Sequence, residues 1–64
     1  MSKLDRLFND IKNECLVLIH DKRVDIEELS FQMGVDMQTL YNLIESRNDD
    51  FSLYLKLYEI LLTW

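Results

Sequence analysis

Residues 26–45 read Ile26-Glu27-Glu28-Leu29-Ser30-Phe31-Gln32-Met33-Gly34-Val35-Asp36-Met37-Gln38-Thr39-Leu40-Tyr41-Asn42-Leu43-Ile44-Glu45, and this stretch decides the fold. Ile26, Leu29 and Met33 recur at spacings of three and four, which puts them on one face of a short helix. Asp25 before it is an N-cap, and Glu27 and Glu28 in the first turn suit the positive end of the helix dipole. Gly34 then ends the helix, because glycine accepts the left-handed backbone of a C-terminal cap. Asp36 opens a second helix, whose apolar face is Leu40, Leu43 and Ile44. Two helices that cross steeply need a small residue where they approach, a residue tolerant of positive φ at the turn, and apolar side chains on both sides. Ser30 supplies the first, and Gly34, four residues later, the second. Leu29, Met33 and Val35 flank the turn, while Leu40 and Leu43 return to the same core six and nine residues after the glycine. The segment therefore reads as a helix-turn-helix.

Working outward, a preceding helix starts at Ser2, with Asp5 three residues on in a pairing close to a capping box. Leu4, Leu7, Phe8, Ile11, Cys15 and Leu18 form its apolar stripe, and it ends near Lys22 and Arg23. Downstream, residues 46–50 form a polar loop in which Asp49 or Asp50 caps a fourth helix beginning at Phe51. The polar residues of that last helix, Ser52, Lys56, Glu59 and Thr63, make one narrow stripe, and apolar side chains fill the rest. A surface helix needs an apolar stripe only about 100° wide. The excess predicts burial at a subunit or partner interface through Phe51, Tyr54, Tyr58, Leu61, Leu62 and Trp64. The alternative is that the first helix wraps over it, helped by Leu16, Val17 and Ile19. No window alternates as a strand does. The expectation is an all-α fold: one small four-helix domain over residues 1–64 that contains a helix-turn-helix.

Composition narrows the function. A chain of 64 residues buries only about 60% of its unfolded surface and has a marginal core. One cysteine rules out an internal disulfide, and one histidine without a Cys/His cluster argues against a metal site. No cofactor is expected. Residues 51–64 are too short and, with Lys56 and Glu59, too charged to span a bilayer, and residues 1–6 carry no signal-type apolar core. A cytoplasmic location with a reduced thiol is expected. Seven basic residues against twelve acidic ones leave a net charge of −5, without the basic patch typical of nucleic-acid binders. His20 beside Asp21 reads as a helix-end residue and Cys15 as packed. With no phosphate loop, nucleophile elbow or metal motif, catalysis is not expected.

Glu27-Glu28-Leu29-Ser30, Met33-Gly34-Val35, Thr39-Leu40 and Leu55-Lys56-Leu57 together resemble the Cro/repressor-like, XRE-type helix-turn-helix family, over roughly residues 22–61. The resemblance implies a lambda-repressor-like fold whose third helix enters the DNA major groove. By position it implies that Gln32 touches the DNA backbone, that Met37, Gln38, Tyr41 and Asn42 face the bases, and that Arg47 reaches a phosphate. Gln38 and Asn42 have the amides that pair with adenine. The chain departs from the family in carrying Asp25, Glu27, Glu28, Asp36 and Glu45 against Arg47 alone between residues 25 and 47.

Two functions follow as expectations. One is a small bacterial or phage-type transcriptional regulator that binds double-stranded DNA as a homodimer, its affinity falling steeply with salt. The other is an acidic protein-binding module of the same fold, such as an antirepressor or modulator of another regulatory protein.

Overall fold

The computed structural model describes residues 3–45 and 47–64. Its elements are four helices, α1 (Lys3–Asp21), α2 (Ile26–Met33), α3 (Met37–Ile44) and α4 (Phe51–Leu62), with no strand among the described residues. The all-helical, four-helix architecture is as expected. The cap expected at Ser2 lies outside the described residues, as does Ser46 of the polar loop.

Each helix after the first is opened by an aspartate. Asp25 accepts from the Glu27 N–H at 3.0 Å, Asp36 from the Thr39 N–H at 2.7 Å, and Asp50 from the Ser52 and Leu53 N–H groups at 3.1 and 3.4 Å. These carboxylates satisfy amides that have no partner within their own helix. Two helices close with the same C-terminal motif. The Val24 N–H returns to the Ile19 carbonyl and the Val35 N–H to the Ser30 carbonyl, each across one left-handed residue. At the second turn that residue is Gly34, with φ 70°. At the first it is Arg23, with φ 50°, a side-chain-bearing residue in a conformation costing a little strain. Ser30 is buried, its hydroxyl donating to the Glu27 carbonyl at 2.7 Å, so a small side chain meets the neighbouring elements without an unpaired polar atom. The pair α2–turn–α3 is consistent with the helix-turn-helix expected from residues 26–45.

The core is Cys15, Val24, Leu29, Met33, Leu40, Leu43, Tyr54, Leu57 and Leu61. Helices α1 and α4 run in the same direction. Phe8 meets Phe51 edge-on at 4.9 Å between ring centroids and Tyr54 at 5.4 Å, the Cys15 thiol lies 3.8 Å from the Tyr54 carbonyl, and the Lys22 ammonium donates to the Leu61 carbonyl at 2.7 Å. This packing corrects three expectations. Leu4 and Leu7 share the stripe of Phe8 and Ile11, yet they are 65% and 51% exposed, because α1 is 19 residues long and overhangs the 12-residue α4. The first helix does cover α4, but through Phe8, Ile11, Cys15, Leu18 and Ile19; Leu16 and Val17 face outward. Tyr54 and Leu61, expected at a subunit interface, are buried in the domain's own core instead.

Candidate functional site

Helix α3 is held from behind and open in front. Leu40 and Leu43 are fully buried, and the Tyr54 hydroxyl donates to the Leu43 carbonyl at 2.7 Å, fixing the end of α3 to α4. Met37, Gln38 and Tyr41 are exposed and Asn42 is half-buried. The Gln38 side-chain N–H lies 3.5 Å from the Asn42 side-chain oxygen, so the two amides, one helical turn apart, sit side by side on the same face. Met37 and Tyr41 flank them with apolar surface. Four of the six residues expected to face DNA are therefore gathered on α3.

The other two are not part of that cluster. Arg47 is exposed in the loop, and its guanidinium turns back to the Glu45 carboxylate at 3.2 Å, while its backbone N–H bonds the Asn42 carbonyl at 2.8 Å. The one cation of residues 25–47 thus has its charge matched by a neighbour. Gln32 lines a groove with Glu28, Ile60, Thr63 and Trp64, on the side of α2 that faces the end of α4.

The charges at the helix starts are fixed. Hydrogen bonding from the Thr39 side chain, then from its backbone N–H, holds the Asp36 carboxyl below the usual carboxylate range. The Ser52 side chain, then the Leu53 backbone N–H, does the same for Asp50. Both stay ionised at any physiological pH, at positions where a helix N-terminus would otherwise attract a phosphate.

Of the expected interface residues, Phe51 and Tyr58 are half-buried, and Leu62 and Trp64 are 53% and 38% exposed. Leu55, outside the interface set expected from the sequence, is 39% exposed and belongs with them. Phe51, Leu55, Tyr58 and Leu62 are spaced four, three and four apart, so they form one partly open apolar stripe along α4. Phe31 was also missed, and at 86% it is the most exposed large apolar side chain described. Its signal was available: it falls off the stripe of Ile26, Leu29 and Met33 on the opposite side of α2.

Cys15 is buried, and burial, then the nearby Glu14 charge, pushes its thiol up to about 11, so it carries no nucleophile. His20 is exposed at the end of α1, with Nδ1 3.9 Å from Asp21. Among the described residues no three His, Cys, Asp or Glu side chains are grouped to hold a metal ion, and no helix is long and apolar enough to cross a membrane. Comparison with family models, with curated proteins and with solved structures found no match.

Proposed function

We propose that this chain is a small helix-turn-helix regulator that reads double-stranded DNA with α3. The neighbouring amides of Gln38 and Asn42 on the solvent side of a helix whose other face is buried carry this reading. They match the donor–acceptor pattern of adenine in the major groove, and Met37 and Tyr41 offer apolar contact to a thymine methyl beside it. The stripe Phe51–Leu55–Tyr58–Leu62 on α4 supports pairing of two copies, which places two reading helices on one duplex. Arg47, whose guanidinium is paired with Glu45, is the one cation near α3 between residues 25 and 47, so a shallower salt slope than the steep one expected of a DNA-binding regulator fits this reading.

The test is selection from a random duplex pool at low salt, with fluorescence anisotropy on the enriched sequence and sedimentation for oligomeric state. An A·T-centred site whose binding is lost in Gln38→Ala and Asn42→Ala supports the reading. Glu45→Gln releases Arg47 and tightens binding. A pool that enriches nothing refutes it.

A second reading, a protein-binding module of the same fold, is favoured by one observation. Asp36 and Asp50 hold ionised carboxylates at the starts of α3 and α4. These repel phosphate and complement a basic protein surface. Here Glu45→Gln leaves DNA binding absent, and α3 variants instead weaken capture of a basic regulatory protein.

A further inference from the structure

The face of α2 centred on Phe31 is open to solvent. Phe31 stands at its centre, 86% exposed, whereas Leu29 and Met33 on the opposite side are fully buried. Glu27 lies four residues before Phe31 and Glu28 three, so both carboxylates sit one turn away on the same side of the helix. With Asp25, Ser30, Gln32 and Val35 they line an open groove of ≈ 560 Å³ beside the phenyl ring. No salt bridge between described residues involves Asp25, Glu27 or Glu28; the Asp25 carboxylate caps α2.

From this we infer that the α2 face around Phe31 is a docking surface for a basic polypeptide segment, one that presents an apolar side chain flanked by lysine or arginine. An exposed phenylalanine is a poor residue to leave in water, and aromatic side chains in such positions anchor interfaces. The surrounding negative charge selects the partner's sign and speeds its approach. Three of the chain's own cations are engaged elsewhere. Lys12 lies over the Phe8 ring, Lys22 caps α4, and Arg47 is held by Glu45. A second copy would bring its own α2 carboxylates, Asp25, Glu27 and Glu28, against the same acidic face. The face lies on α2, so the inference stands whichever reading of α3 holds.

The experiment uses the full chain, ¹⁵N-labelled, titrated with a synthetic amphipathic peptide of alternating Lys-Lys-Leu repeats. A lysine–glycine peptide of equal charge and a Glu-Glu-Leu peptide serve as controls. Binding of the first alone is expected, with the largest amide shifts at Glu27, Glu28, Phe31, Gln32 and Val35. Phe31→Ala and Glu27→Gln/Glu28→Gln each weaken it about tenfold or more. These positions are exposed, so an unchanged thermal melt separates lost docking from lost folding. The inference is overturned if the peptide does not bind, if shifts centre on α3 or α4, if Phe31→Ala binds as well as the parent, or if the lysine–glycine peptide binds equally. It is also overturned if the face is occupied by a second copy or by duplex DNA.

Discussion

Replacing Tyr54 with phenylalanine removes one oxygen from the middle of the domain and nothing else. The ring keeps its edge-on contact with Phe8 at 5.4 Å, and the backbone carbonyl that faces Cys15 is untouched. What disappears is the 2.7 Å hydrogen bond to the Leu43 carbonyl, in a site where Tyr54 is 1% exposed and water has no access. A buried acceptor stripped of its partner costs about 1–3 kcal/mol. A loss of about 1.5 kcal/mol lowers Tm by about 6–12 °C in a domain of this size. Whole-domain stability is of order 3–10 kcal/mol, so Tyr54→Phe still folds, while Tyr54→Ala, at about 3–5 kcal/mol, stands at the edge of unfolding. The assay is thermal circular dichroism of both proteins at several concentrations. The shift is expected to be the same at every concentration, as befits a core residue. A Tm for Tyr54→Phe within about 2 °C of the parent would refute the reasoning. So would a loss that appears only as weaker self-association, which would return Tyr54 to an interface.

Asp36→Ala removes the α3 N-cap and lowers Tm, whereas Asp36→Asn keeps an accepting oxygen and loses less. The folded carboxyls of Asp36 and Asp50 titrate below their unfolded values, so their stabilisation is full above the ordinary carboxylate pKa and fades as pH falls through the folded values. Asp36→Asn therefore shows a shallower acid limb when Tm is measured against pH. Cys15 is expected to resist a thiol reagent at neutral pH until denaturant opens the domain, with labelling rates following the unfolding curve. Its folded thiol holds a proton that the unfolded chain releases from about 9.0 upward, so stability declines as pH rises from there to about 11 and declines less in Cys15→Ala. Lys22→Met removes the ammonium from the Leu61 and Leu62 carbonyls at 2.7 and 3.3 Å, costing about 1 kcal/mol and raising amide hydrogen exchange in the last turn of α4.

Much of this architecture is local in origin and so was legible in the chain. Asp25, Asp36 and the pair Asp49-Asp50, of which Asp50 is the cap, mark helix starts by chemistry confined to one turn, and Gly34 marks a stop by its own backbone freedom. What no periodicity could reveal is relative length and placement. Leu4 and Leu7 obey the same spacing as Ile11, yet α1 outruns α4 and carries them past the core. On α4, Tyr54 and Leu61 look as apolar as Leu55 and Leu62; only the direction in which α1 lies decides which pair is buried. The candidate site divides the same way. Gln38 and Asn42 come together because a single helix spaces them. The pairing of Arg47 with Glu45 depends on how the loop turns, and the exposure of Phe31 depends on which side of α2 receives the rest of the domain.

The parallel packing of α1 and α4 bears on how the protein is made. Cys15 meets Tyr54, and Lys22 meets Leu61, 39 residues apart in each case, so the main seam joins the first and the last of the four helices to be synthesised. Until α4 emerges, Phe8, Ile11, Cys15 and Leu18 lack their main packing surface, and α2 and α3 lack the floor formed by Leu57 and Leu61. A nascent chain stalled before Phe51 is an open apolar surface rather than a partly finished domain, available to chaperones and proteases. Release of α4 then closes the domain's core in one event, making assembly a switch thrown when that helix emerges.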